Sequence, residues 1–69
     1  MPESVYKVIE IIGTSTESWG KAAEAAVKKA AKSLKDLRIA EVVMQDLQIE
    51  DGKVTNYRTK LRVSFKYLD

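Results

Sequence analysis

The feature that most limits the possible folds is a tight turn between two long β-favourable runs. Asp51-Gly52 is a pair typical of two-residue hairpin turns, and it separates Ile39–Glu50 from Lys53–Tyr67. In the second run, the basic residues Arg58, Lys60, Arg62 and Lys66 share one parity, while Leu61, Val63 and Phe65 share the other. This period of two predicts a strand with one face on a core and one polar face.

The residues before the hairpin add one strand and one helix. Val5–Ile12 is rich in β-branched residues, which predicts a strand that ends at Gly13. Ser15 is predicted as the N-cap of a helix over Thr16–Leu34, with Glu17 in the first turn, where the helix dipole favours an anion. The apolar stripe of this helix is mostly alanine, and it comprises Trp19, Ala22, Ala23, Ala26, Ala30 and Leu34. The predicted fold class is α+β, with the element order β-α-β-β.

The short chain and its small apolar side chains indicate an oligomer. A length of 69 residues predicts a single domain over residues 1–69, with a core that contributes only a few kcal/mol net. The apolar run Val8-Ile9 and Ile11-Ile12 indicates burial on both faces of the first strand. The chain's own helix covers one face, so we expect a partner subunit to cover the other.

The composition excludes several classes of function. The chain has no cysteine and no histidine, which removes disulfides, thiolate metal sites, the commonest general base and serine–histidine triads. It also has no phosphate-binding loop or nucleophile elbow, so we do not expect an enzyme. A net charge of +2 is too weak to indicate a nucleic-acid partner.

The hydropathy pattern argues against a membrane or secreted protein. No apolar run approaches the roughly 18 residues of a membrane span. Glu3, Lys7 and Glu10 interrupt the N-terminal segment where a signal peptide needs continuous apolar residues, so the expected location is the cytoplasm.

Asp46 is the first candidate for a cation ligand. Aspartate is depleted in strand interiors, and calcium prefers carboxylate oxygens. The alternative is an outward-facing Asp46 that pairs with a lysine or arginine of the last strand, and both possibilities remain open. Glu50 and Asp51 fit a solvated strand end better than a metal site. The basic face of the last strand fits a solvated or cross-strand paired surface better than a nucleic-acid site, because no aromatic residue interleaves with it.

Several segments together resemble the dodecin family. VYKVIEIIGTS is followed by the alanine-rich helix, then by AEVV and a last strand ending in VSFKYL, so the resemblance runs from Val5 to Tyr67. It implies an antiparallel sheet in the order 1-3-2, half wrapped around one helix, and a hollow homododecamer with cubic 23 symmetry. In typical dodecins, a flavin such as riboflavin or FMN is sandwiched by a tryptophan at the start of the second strand, and a glutamine on the third strand hydrogen-bonds the ring. Those two positions are Ile39 and Arg58 here, which makes flavin the less expected ligand.

The chain resembles the calcium dodecin branch, which lacks that tryptophan, more closely than the flavin-binding members. The shared features are Ser18-Trp19, the segment Asp36–Ile39 and Gln45-Asp46. The resemblance implies a calcium-associated storage or buffering protein. It raises Asp46 as a metal ligand. Glu10 and Glu50 are weaker candidates, chosen only as acids near strand positions that could converge after assembly. Two alternatives stay open: a flavin carrier that uses Arg58 and Tyr57, and a structural shell with no specific ligand.

Overall fold

Three antiparallel strands and one helix build the fold. The structure is a computed structural model, and it describes residues 3–67. The elements are β1 (Tyr6–Ser15), α1 (Trp19–Ser33), β2 (Leu37–Glu50) and β3 (Lys53–Lys66). The sheet order is β1-β3-β2, with β3 in the centre and antiparallel to both neighbours. The predicted element order and sheet order are therefore confirmed.

The hairpin between β2 and β3 has the predicted two-residue turn. Asp51 and Gly52 both have positive φ, 53° and 75°. Two successive residues with positive φ define the turn whose twist matches that of the flanking strands. Because the turn is tight, Glu50 lies opposite Lys53. A register shift between Gln48 and Ile49 then places Asp46 opposite Arg58.

The start of α1 differs from the prediction. The N-cap is Ser18, whose Oγ accepts a hydrogen bond of 3.0 Å from the backbone N–H of Lys21. Ser15 is instead the last residue of β1, and its Oγ accepts from the N–H of Glu17 in the connecting turn. The expected cap at Ser15 and the expected place of Glu17 in the first helical turn are wrong. Both serines can accept from a backbone N–H two or three residues ahead, so the local pattern does not distinguish them.

The core lies between α1 and the β1–β3 side of the sheet. Ala22 and Ala26 of the helix are buried, as are Thr59, Leu61 and Val63 of β3. These β3 residues have odd numbers, so they share the face that the helix covers, as the alternation predicts. Partly buried apolar residues complete the cluster: Ile9, Ile11, Ala23, Val27 and Leu37.

Gly13 allows the helix to lie close to β1. It continues the strand rather than ending it, and it pairs with Thr59. A Cβ atom at this position would lie only 2.0 Å from the carbonyl oxygen of Ala22 and 2.9 Å from the Cβ of Ala26. Only a residue without a side chain fits here, and the small alanines of α1 make the approach possible from the other side.

The helix leaves β2 largely uncovered. Leu37 and Asp46 are half-buried, but the remaining residues of β2 are exposed on both faces. The most exposed apolar side chains of the strand are Ile39, Ile49 and Val42, at 67%, 60% and 51%. On β1, Val8 and Ile12 are also about half exposed, on the face away from the helix. A single chain therefore leaves a large apolar surface in water. Within residues 3–67, the helix is not long and apolar enough to cross a membrane.

Candidate functional site

The sheet face opposite the helix carries most of the paired charges. We call it the polar face. In β3 it contains the even-numbered residues, and the strand register adds their neighbours from β1 and β2. Its central members are Glu10, Ile12, Glu41, Met44, Asp46, Arg58, Lys60 and Arg62. Oppositely charged residues lie side by side across the strands of this face, which is the arrangement that stabilises a sheet surface.

Asp46 and Arg58 form a two-bond ion pair. Arg58 Nε donates to Asp46 Oδ1 at 2.7 Å, and Arg58 Nη2 donates to Oδ2 at 2.8 Å. The planar guanidinium matches the carboxylate, so both oxygens of Asp46 are engaged. The hydrogen bonds from Arg58 lower the pKa of Asp46, and the bonds to Asp46 raise the pKa of Arg58. The structure therefore contains the cross-strand partner that one of the two interpretations of Asp46 required.

Glu10 has two basic neighbours, whereas Asp46 pairs with one. Arg62 Nη2 donates to its Oε2 at 3.0 Å, and Lys60 Nζ lies 3.5 Å from its Oε1. The hydrogen bond from Arg62, followed by the charge of Lys60, lowers the pKa of Glu10. Arg62 also lies 3.8 Å from Glu41 across the other side of β3. Arg62 therefore links one carboxylate from each neighbouring strand.

The three predicted metal candidates do not come together within one chain. Glu10 is opposite Arg62, which lies four residues along β3 from Arg58, or about 13 Å in a strand. Glu50 is exposed at the hairpin end of β2, opposite Lys53. Among residues 3–67 there is no group of three or more acidic side chains close enough to hold a metal ion. A cation site with several carboxylates therefore needs more than one chain.

The two positions that the sequence resemblance matched to flavin contacts, Ile39 and Arg58, are also far apart. Ile39 lies opposite Ser64, which is six residues from Arg58 on β3, or about 20 Å along the strand. Ile39 is 67% exposed, while Arg58 is bonded to Asp46. Tyr57 lies on the helix side, where its ring packs edge-on against Trp19 with centroids 5.3 Å apart. Tyr57 and Arg58 therefore face opposite sides of the sheet and do not form one pocket within a chain.

Trp19 links the start of the helix to Asp46. Its indole Nε1 donates to the backbone carbonyl of Asp46 at 2.9 Å. The hydroxyl of Thr59 donates to the carbonyl of Trp19, also at 2.9 Å. Trp19 thus holds β2 from the helix side at the residue whose carboxylate lies on the polar face. The sequence pattern placed Trp19 only in the apolar stripe of the helix, and no spacing in the sequence connects it with a residue 27 positions away.

The comparisons with known proteins agree on one family. The family model described as Dodecin matches residues 5–68. The calcium dodecin of Mycobacterium tuberculosis is 56% identical over 64 residues, covering 91% of this chain and 89% of the relative. The dodecin of Thermus thermophilus is 37% identical over 62 residues, covering 90% of each.

A solved structure also shares the fold. It is the crystal structure of calcium dodecin from Mycobacterium tuberculosis, described as a calcium chelating immunodominant antigen with a novel calcium-binding site. It superposes with a TM-score of 0.84 at 53% identity and covers 94% of this chain and 93% of that chain. The similarity therefore extends over nearly the whole chain and not only over a local motif.

Proposed function

This chain belongs to the dodecin family, and we propose that it forms a hollow homododecamer that binds and stores calcium rather than flavin. The proposed function is not catalytic. In this proposal the chains assemble and present carboxylate oxygens to cations where they meet. The cytoplasm is the proposed compartment, and fractionation of cells that express a tagged chain tests it.

The exposed surface of β2 supports assembly. β2 is an edge strand, and its apolar side chains stand in water on both faces in the single chain. An exposed, apolar edge strand is a template for association unless it is covered. Burial of Ile39, Val42 and Ile49 by neighbouring copies would add the apolar area that the small alanine-based core lacks.

The cation part of the proposal is carried by the similarity to calcium dodecin over nine-tenths of the chain. The polar face supplies the matching chemistry, because Asp46 and Glu10 have lowered pKa values and are ionised at neutral pH. Calcium takes six to eight oxygen ligands, and one chain brings too few carboxylates together within residues 3–67. The site therefore forms between chains, with Asp46 as the first ligand and Glu10 and Glu50 as further candidates.

Calorimetry on the sized assembly tests the proposal. Size-exclusion chromatography with light scattering should give about 94 kDa, twelve times the 7.8 kDa of one chain. Calcium, magnesium, riboflavin and FMN are then titrated in turn. We expect heat from calcium and none from the flavins. Flavin heat without calcium heat would favour the flavin carrier, and no heat from any of the four would favour the structural shell.

Two variants on the same strand and the same face locate the site. Asp46→Asn removes the carboxylate of the first candidate and should weaken calcium binding by about tenfold or more. Glu41→Gln is the matched control, because it removes one carboxylate of β2 whose nearest basic atom, on Arg62, is 3.8 Å away. Calcium binding that survives Asp46→Asn unchanged in the assembled protein would contradict the assignment of Asp46.

A further inference from the structure

We propose that the groove between α1 and β1 receives β2 of a second copy of this chain, so that the sheet of one copy continues into the sheet of the next. The inference rests on the assembly part of the proposed function and not on any ligand. It names the two surfaces that one contact between copies uses. The observations behind it are the open groove and the uncovered helix side of β2 in the single chain.

The groove lies beside the free edge of β1. The sheet order makes β1 and β2 the two edge strands, so in the described part of the chain the outer edge of each has no strand partner. Ile9, Ile11 and Thr14 of β1 line one wall of the groove, and Ala25 and Ala30 of α1 line the other. Its volume is about 570 Å³, whereas voids inside a packed core rarely exceed one water molecule, roughly 30 Å³. A strand can therefore enter, bond to the edge of β1 and place side chains against the alanines.

The helix side of β2 carries side chains that suit such a groove. Val42 lies opposite Leu61 and Leu47 lies opposite Tyr57, so both are on the side of the sheet where α1 lies. Their own helix leaves them uncovered, because Val42 is 51% exposed and Leu47 is 40% exposed. On the β1 edge of a second copy, the same side chains would lie beneath that copy's α1. One contact therefore covers the helix side of β2 and fills the groove.

The charges of the two surfaces are complementary. α1 carries four lysines and one glutamate, a net charge of +3, and its Lys29 lines the groove. β2 carries three acidic residues and one arginine, a net charge of −2. Contact between α1 of one copy and β2 of the next brings opposite charges together, whereas contact between two β2 strands brings like charges together.

The two symmetric alternatives each leave one of these features unexplained. Pairing of β1 with β1 brings two positively charged helices together at one edge. Pairing of β2 with β2 leaves the groove empty and Val42 and Leu47 without a helix above them. Pairing of β1 with β2 uses both surfaces. Because it joins two different surfaces, it closes into a ring, and the rings that 23 symmetry contains have three copies.

Cross-linking tests the contact directly. The chain has no cysteine, so an introduced thiol reports on one position. Ala25→Cys in the groove and Val42→Cys on β2 are made in chains with different tags, which are co-expressed and treated with a short bis-maleimide. We expect a cross-linked pair that contains both tags on a denaturing gel. Ala31→Cys is the matched control, because Ala31 is another exposed alanine of α1 and does not line the groove, so it should give no such pair.

Two results of this experiment would overturn the inference. One is a mixed product from Ala25→Cys that is no stronger than the Ala31→Cys control. The other is a Val42→Cys product that forms only between identical chains, because it would mean that β2 pairs with β2. The double variant Ala25→Cys/Val42→Cys should give a ladder of cross-linked chains that stops at three. A ladder that stops at two would indicate a two-fold contact and would contradict the head-to-tail pairing.

A larger side chain in the groove gives a second measurement without a cross-linker. Ala25→Trp places a bulky ring where β2 of the neighbour would lie. Light scattering should then show loss of the assembled mass, while circular dichroism shows that the chain remains folded. Ala31→Trp is the control and should assemble like the wild type. A folded Ala25→Trp protein that keeps the wild-type mass would refute the inference.

The proposed function can fail separately. If the wild type is a closed trimer that gives the mixed cross-link, the dodecamer is wrong and the contact is supported. If the wild type is a dodecamer without that cross-link, the contact is wrong and the dodecamer is supported. A wild type that stays at the 7.8 kDa of one chain would refute both. All of these experiments are made without added metal, so calcium binding does not affect their outcome.

Discussion

The contact at Gly13 gives a direct test of how the helix is held against the sheet. In Gly13→Ala, the new Cβ would lie 2.0 Å from the carbonyl oxygen of Ala22, whereas such atoms normally stay about 3.3 Å apart. The helix would therefore have to move by about 1.3 Å, because the obstacle is backbone and cannot rotate away. Overpacking of this kind costs about 1–3 kcal/mol, and we expect the upper end of that range.

The two other glycines serve as controls for this variant. In Gly20→Ala, the nearest atom to the new Cβ is the Oγ of Ser18, at 3.9 Å, so the helix should gain about 0.5–1 kcal/mol. In Gly52→Ala, nothing lies within 4 Å, but the φ of 75° should cost about 1–2 kcal/mol. The three variants therefore separate three effects on stability: a steric contact at Gly13, helix propensity at Gly20 and a positive φ at Gly52.

The assay is urea unfolding followed by circular dichroism, together with light scattering to record the assembly. All variants are measured at one chain concentration, because association couples stability to concentration. We expect the order Gly20→Ala, wild type, Gly52→Ala and Gly13→Ala, from most to least stable. A Gly13→Ala protein that assembles normally and lies within about 0.5 kcal/mol of the wild type would refute the close-contact argument.

Three further changes test other parts of the structure. Leu61→Ala empties a site that is 1% exposed and should cost about 2–5 kcal/mol in urea unfolding, whereas an equal midpoint would place Leu61 outside the core. Trp19→Phe keeps an aromatic ring but removes the donor to the carbonyl of Asp46, so the free energy of unfolding should decrease by about 1–2 kcal/mol. The lowered pKa values of Asp46 and Glu10 mean that their ion pairs stabilise the fold fully above about pH 4.3 and lose that contribution as the pH falls through the lower folded values. Urea midpoints between pH 7 and pH 3 should therefore fall more steeply for the wild type than for Asp46→Asn/Glu10→Gln, and parallel curves would contradict this.

Local patterns predicted the hairpin and the two faces of β3, because they depend on neighbours in the chain. Asp51-Gly52 has the residue types that favour the two positive φ angles of a two-residue hairpin turn. The alternation of Arg62 with Leu61 and Val63 assigns each side chain to a face of the strand by parity alone. Local rules did not decide between Ser15 and Ser18 as the helix cap. Either hydroxyl can accept from a nearby N–H, and β1 continues through Gly13 to Ser15 because these residues still pair with β3.

The candidate site around Asp46 also combines features that the sequence predicted with contacts that only the tertiary structure decided. From the sequence alone, Asp46 is unusual within a strand, and its two explanations are a cation ligand and a partner on β3. Only the register of β2 against β3 decided that the partner is Arg58, and only the packing of α1 brought Trp19 to the carbonyl of the same residue. These contacts join residues 12 and 27 positions apart. Side-chain period and turn chemistry act over a few residues, whereas pairing across a sheet and docking of a helix are set by the burial of the whole core.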